Sequence, residues 1–333
     1  MTQMQNIADQ FLLLGLISSL FFNCTFIFLT LFYIKHIVPS YKNMIVTFAS
    51  LGIAFVAWEH VAQPYVHNFN ASFIYFSMNT SLSYSLSKLA LGVYGGLYSL
   101  LISFTALQFA FRHLTVKKSR FLEHKGPLAV FAVVYVIVFG ASFGGSLYLL
   151  GEPSDYEDGY LEAEMRNVYN LQVREVPRLI ILPYNPNGQI RLNSFISSFI
   201  CISVVSIQYL IIIYCTIQMK ANIHRNLSHC SHVHAKLEKQ FFKALIVQIT
   251  LPTLLLTLPS FPVLLCPFLN IEMSVESGFI YTLFSFYTPL DSLSFMIIVS
   301  EYRIRIREMC QSFKVSMMTG ESATTMGTLE SVI

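Results

Sequence analysis

Seven long apolar stretches constrain the fold of this chain more tightly than any motif in it. They predict helices over 11–34, 43–66, 89–111, 127–150, 192–219, 244–271 and 277–300, most of them at or above the roughly 20 residues that cross about 30 Å of hydrocarbon. Within hydrocarbon the backbone must satisfy its own polar groups, so an apolar run of this length is a helix. The second stretch is uncharged to Trp58 and reaches Val66 once Glu59 and His60 are accepted inside it, and the seventh holds Asp291. Charged residues make up 12% of the chain, against about 25% in soluble domains. The expected fold class is an all-α membrane protein, a seven-transmembrane helix bundle in a lipid bilayer. The first stretch is too long for a signal-peptide core and reads as a retained anchor.

Orientation follows from the basic residues. Sixteen of the 21 Lys and Arg lie in the odd-numbered loops and the tail, from Lys35 and Lys42 through the groups at 112–125 and 220–243 to Arg303, Arg305, Arg307 and Lys314. The remaining five are Lys88, Arg166, Arg174, Arg178 and Arg191. That asymmetry predicts an N-terminus outside and a cytosolic C-terminus. Basic residues tied to span ends give no support for nucleic-acid binding. Two sequons, at Asn70 and Asn79, fall on the expected outer side and are candidate glycosylation sites, whereas Asn226 falls inside. None of the six cysteines lies in the loop 152–191 or near the start of the third span, so the disulfide joining those places in many seven-helix receptors cannot form. Cys310, in a basic stretch after the last span, is either a palmitoylation site or an ordinary cytosolic thiol.

Residues 1–310 read as one receptor domain and 311–333 as a cytosolic, disordered tail. That tail is too small to be catalytic, so no enzyme is expected, and function must come from the bundle. The loop 152–191 begins acidic and ends in apolar runs around Asn187-Gly188, which predict a β-hairpin over the bundle mouth. Its carboxylates lack calcium-loop spacing and read as a solvated face.

Ionisable groups inside spans are functional candidates by default. Glu59 and His60 sit near the outer end of the second helix, where they either line a ligand cavity or reach interfacial water beside Pro64. Asp291 lies deep in the seventh span and reads as a hydrogen-bonded hub, with Asn23 a potential partner. Tyr94 and Tyr98 share a face of the third span, as Tyr281 and Ser285 do in the seventh. With Thr257 they make a candidate pocket for a small, mostly apolar ligand. Pro259 is one of four prolines, with Pro252, Pro262 and Pro267, that make the sixth span a candidate hinge.

Three patterns are set aside. Gly140-Ala141-Ser142-Phe143-Gly144 matches the nucleophile motif of hydrolases but lies within an apolar helix, where its glycines suit close packing. His224, His229, His232, His234 and Cys230 fit no zinc spacing. A lysine for a retinal Schiff base is missing from 277–300. No catalytic residue, cofactor or metal is expected.

The segments LEKQFFKALIVQITLP (237–252) and YTPLDSLSFMIIVSEYR (287–303) resemble the nematode seven-transmembrane chemoreceptor family Str. So do Pro39 to Met44, Gln63-Pro64 and Phe111-Arg112-His113. The sequence departs from the family pattern where Phe111 and His113 flank Arg112 in place of tyrosines, and where Ser292 replaces the proline after the aspartate. The resemblance implies an odorant-type G-protein-coupled receptor in the plasma membrane of sensory cilia. A small molecule would bind in the outer pocket and a Gα subunit would dock on Arg112, Lys117, Lys118, Lys236, Lys239 and Lys243, charges that anchoring to a membrane surface explains equally. A ligand-gated cation channel or a small-molecule transporter is the alternative; against it stand the few polar residues available to line a pore and the lack of duplicated halves.

Overall fold

The computed structural model describes residues 3–34, 39–117, 119, 125–185, 187–226, 232–274 and 283–319, without the side chains of 3–9, 125, 222–226, 232–239, 241 and 313–319. Its long helices are α1 (Gln3–Phe32), α2 (Pro39–Ala62), α3 (Tyr84–Val116), α4 (Lys125–Leu150), α6 (Leu192–Asn226) and α7 (His232–Pro252). A π-helical turn, Thr253–Thr257, joins α7 to α8 (Leu258–Phe268); α9 (Phe284–Ile298) and α10 (Ser300–Thr319) follow. Six helical segments among the described residues are long and apolar enough to cross a membrane, the last being Phe242–Phe268 across the π turn. Of the expected seventh span, the described part is α9.

Tyr98 of α3, with 33 residues the longest described helix but one, belongs to the main core, which also draws side chains from α2, α4, α6, α8 and α9. Contact between α3 and α4 is close because of glycines. A Cβ on Gly144 would stand 2.3 Å from the Gly92 carbonyl oxygen and 2.7 Å from the Gly96 nitrogen, so only glycine permits this crossing.

Three expectations are corrected at the end of the bundle near Glu59. First, α2 stops at Ala62 rather than Val66. Pro64 bars the helix from continuing, and Gln63 turns the chain with φ 41°. Second, the predicted hairpin around Asn187-Gly188 is reduced to a single bridge, Tyr184 to Ile190. The hairpin that does form is β1 (Pro64–Phe69) with β2 (Ser72–Ser77), turned by Asn70 at φ 49°. β3 (Arg178–Ile181) adds to β2 antiparallel, with Phe73 opposite Ile181 and Phe76 opposite Arg178. Alternation gives this sheet two apolar faces. Phe73, Tyr75, Leu179 and Ile181 pack down onto the bundle, while Ile74, Phe76 and Ile180 pack up against Leu161 and Met165 of α5 (Asp155–Tyr169).

Third, the acidic segment is a solvated face only in part, at residues such as Asp155. It is helix α5, opened by a capping box in which the Ser154 N–H donates to Glu157 Oε2 at 2.7 Å. Glu157 and Asp158 are 2% and 6% exposed. All five basic residues of this end are paired with carboxylates: Lys88 with Glu152, Arg166 with Glu162, Arg174 with Asp155, Arg178 with Asp158 and Arg191 with Glu157. The Arg178 pair is bidentate and buried, at 2.8 and 2.5 Å. Ion pairs and strand pairing thus fasten a cap over one end of the bundle.

The other end also departs from expectation. Residues 311–319, read as disordered, continue α10; 320–333 lie outside the described residues. Gln240 accepts from the Ser300 N–H and hydroxyl at 3.2 and 3.0 Å, tying α7 to the start of α10.

Candidate functional site

Beneath the sheet lies a cavity of about 40 Å³. Phe73 and Tyr75 of β2 roof it, Tyr94 and Tyr98 of α3 and Phe284 of α9 wall it, and Ser260 of α8 supplies a hydroxyl. Tyr98 stacks on Phe284 with centroids 5.9 Å apart and tilts against Phe143 at 5.5 Å. Its hydroxyl neighbours those of Ser260 and Thr257. A liquid water occupies about 30 Å³ and small-molecule sites about 300–1,000 Å³, so an odorant-sized guest must part the Tyr98–Phe284 stack or lift the sheet.

Against this cavity stands a buried carboxylate. Glu59 is 1% exposed. Its Oε1 accepts from the Tyr94 hydroxyl at 2.8 Å and its Oε2 from the Ser285 hydroxyl at 2.5 Å. Three of the predicted ligand-binding residues therefore meet, joining α2, α3 and α9, and the carboxylate is satisfied by protein donors rather than offered to the cavity. Tyr94 belongs to both features, and Phe284 is the chain neighbour of Ser285. His60 takes no part: it is exposed on another side of α2, a correction that follows from the 100° between successive helix residues. Thr257 faces Tyr209, whose hydroxyl bonds Thr257 at 2.7 Å and Thr253 at 3.0 Å, bracketing the π turn. Tyr281 lies outside the described residues.

The expected partnership of Asp291 with Asn23 splits in two. Asp291 Oδ2 accepts from Gln248 at 3.1 Å. Asn23 instead accepts from the Ser292 hydroxyl at 2.5 Å and donates to Ser19. Ser292, the departure from the family pattern, thus supplies an α1–α9 hydrogen bond that proline could not make. Pro259 sits in the first turn of α8, and the local break is the π turn that follows Pro252.

At the end opposite the cap, Arg112 is 5% exposed and lies over the Tyr41 ring at 4.7 Å. Its planar cation is folded inward onto α2. Lys117 and Lys243 are exposed; Lys118 and the side chains of Lys236 and Lys239 lie outside the described residues. Cys310 is exposed on α10. At the cap, the Asn70 amide donates to the Tyr160 hydroxyl at 3.2 Å and the Asn79 amide to the Val61 carbonyl at 2.7 Å.

A family model described as serpentine type 7TM GPCR chemoreceptor Str matches residues 8–307. This chain belongs to the Str family. Among its relatives, the G-protein coupled receptor str-33 of Caenorhabditis elegans is 42% identical over 302 residues, 88% of each chain. Serpentine receptor class r-10 is 22% identical over 86% of each chain in C. elegans and over 79% in Caenorhabditis briggsae. As a Str-family member with membrane-crossing helices, the protein is a multi-pass membrane protein of the G-protein-coupled receptor type.

Sequence reasoning missed Phe73, Tyr75, Phe284 and Ser260 as cavity residues and Tyr209 and Gln248 as partners. Gln248 carried a signal, since an amide within an apolar span needs a partner. The roof residues carried none, because they fall in the expected outer loop between the second and third spans and β2 has no polar–apolar alternation to mark a strand.

Proposed function

We propose that this Str-family protein is a chemosensory receptor threading the bilayer seven times, with residues 1–310 as one domain, the cap outside and the 311–333 tail in the cytosol. A small ligand enters beneath the sheet, opens the cavity at Tyr98 and thereby shifts the helices that carry its walls. One observation carries the reading: the cavity shares its walls with the Glu59 hub. A guest that displaces Tyr94 or Phe284 pulls on the donors that hold α2, α3 and α9 together. It acts through its greater affinity for the shifted arrangement. The π turn, where one irregular turn replaces regular helix hydrogen bonding, supplies the hinge, and release of Tyr209 lets the α7 end swing.

On this reading a Gα subunit docks at the opposite end, with Arg112 leaving the Tyr41 ring to meet it and Lys117, Lys118, Lys236, Lys239 and Lys243 around it. The same proposal places the protein in the plasma membrane of sensory cilia, with glycans on Asn70 and Asn79 and an acyl chain on Cys310. The test is a screen of volatile and water-soluble odorants with a calcium readout in expressing cells, followed by ligand-dependent nucleotide exchange on purified Gα. Tyr98→Ala and Phe284→Ala should shift the dose response of any active compound at least tenfold. An unchanged dose response in both rejects the pocket, and ligand-gated currents in cells lacking responsive G proteins reject coupling.

A further inference from the structure

On the upper face of the cap sheet lies a polar cluster that the ligand cavity does not use. His67 of β1 is 1% exposed, and each ring nitrogen has a partner from α5. Nε2 stands 3.2 Å from Glu164 Oε1 and Nδ1 3.3 Å from the Tyr169 hydroxyl. The chain neighbours of His67 face the other way, as alternation along a strand requires. Val66 joins the bundle core beneath the sheet, and the Asn68 amide donates to the Val263 carbonyl of α8 at 3.3 Å. Three consecutive residues of one strand therefore hold α5 above and the bundle below. Phe73 and Tyr75 of the adjacent strand roof the ligand cavity.

A neutral imidazole fits this place with one donor and one acceptor, Nε2–H donating to Glu164 and Nδ1 accepting from Tyr169. Adding a proton turns Nδ1 into a second donor, which the phenol oxygen accepts, and makes the Glu164 contact a charge-assisted ion pair. No hydrogen bond is lost and an attraction is gained. The other charges of the cap are paired elsewhere: Arg178 of β3 with Asp158, Arg166 with Glu162, Arg174 with Asp155 and Arg191 with Glu157. Glu175 is exposed, and β2 sets apolar Ile74 opposite His67. We propose that His67 is a proton-operated latch. Charged, it clamps α5 onto the sheet and keeps the cavity roofed; neutral, it holds them by hydrogen bonds alone and the cap opens more often. The closed cap binds the proton more tightly than the opened one, so the clamp is strongest in acid and is lost as pH rises through the imidazole range of about 5 to 8. The latch rests on contacts within the cap and stands independently of the proposed ligand and G-protein coupling.

Hydrogen–deuterium exchange of the purified full-length protein in lipid nanodiscs, corrected for the intrinsic pH dependence of amide exchange, reads cap opening without any agonist. Amides of β1, β2 and α5 should be about tenfold better protected at about pH 5.5 than at about pH 8. Glu164→Gln, which keeps an acceptor for Nε2 without the charge, should remove most of that difference, and so should His67→Gln. The Glu164 side chain is 22% exposed, so its variant decides the matter should His67→Gln fail to fold. Burial also pushes the Glu157 carboxyl up, and both variants leave that residue alone. A pH difference that survives them undiminished therefore overturns the latch. Equal protection of the unaltered protein at the two pH values, or better protection at the higher one, overturns it as well.

Discussion

At the scale of single residues, Glu59 is the most consequential side chain. A carboxylate inside a span is tolerated only with partners, and its two donors come from helices far apart in sequence. Ser285→Ala leaves Oε2 without a donor, and Tyr94→Phe does the same for Oε1. Each should cost about 1–3 kcal/mol, the range for leaving a buried acceptor unsatisfied, measured as thermal stability of the purified protein. Losses below half a kcal/mol in both would mean that Glu59 holds nothing together. Glu59 itself was legible, because an ionisable residue stands out in an apolar run. Tyr94 and Ser285 were legible as candidates from their helix faces. Their convergence was not, since sequence fixes the face on which a residue lies but not how far each helix is rotated toward its neighbours. The same limit explains why Asn23 was paired with Asp291 rather than with Ser292, one residue and about 100° away.

Elements divide by how their sequence period meets burial. The six membrane-length helical segments were legible from length and hydropathy alone. The sheet was not: both of its faces are covered, so β2 reads Phe-Ile-Tyr-Phe, a continuous apolar run with no alternation to mark a strand. Helix α5 carried a usable signal in the Ser154-x-x-Glu157 capping box, obscured by its many acidic residues. Two element-level predictions follow from packing. Gly144→Val should force α3 and α4 apart and lower the unfolding temperature sharply, whereas Gly145→Val, where an added Cβ meets nothing within 4 Å, should change it by no more than a degree or two. Comparable losses in both would contradict the seam. In the cap, Asp158→Asn strands the buried Arg178 charge and should destabilise by about 3–5 kcal/mol, as breaking a buried ion pair does. Limited proteolysis should then cut first within 152–191; an intact loop would show that strand pairing alone holds the cap.

The whole molecule is a helical bundle with unlike ends, one covered by a sheet, a short helix and ion pairs, the other rimmed with exposed lysines such as Lys117 and Lys243. The proposed direction of signalling, from ligand beneath the sheet to partner at the basic rim, depends on which end faces the cell exterior. Tags placed at Met1 and after Ile333, probed with antibody before and after permeabilisation, decide it. The account predicts that the Met1 tag labels on intact cells and the Ile333 tag only once the membrane is opened; the reverse pattern would put the cap in the cytosol and contradict it.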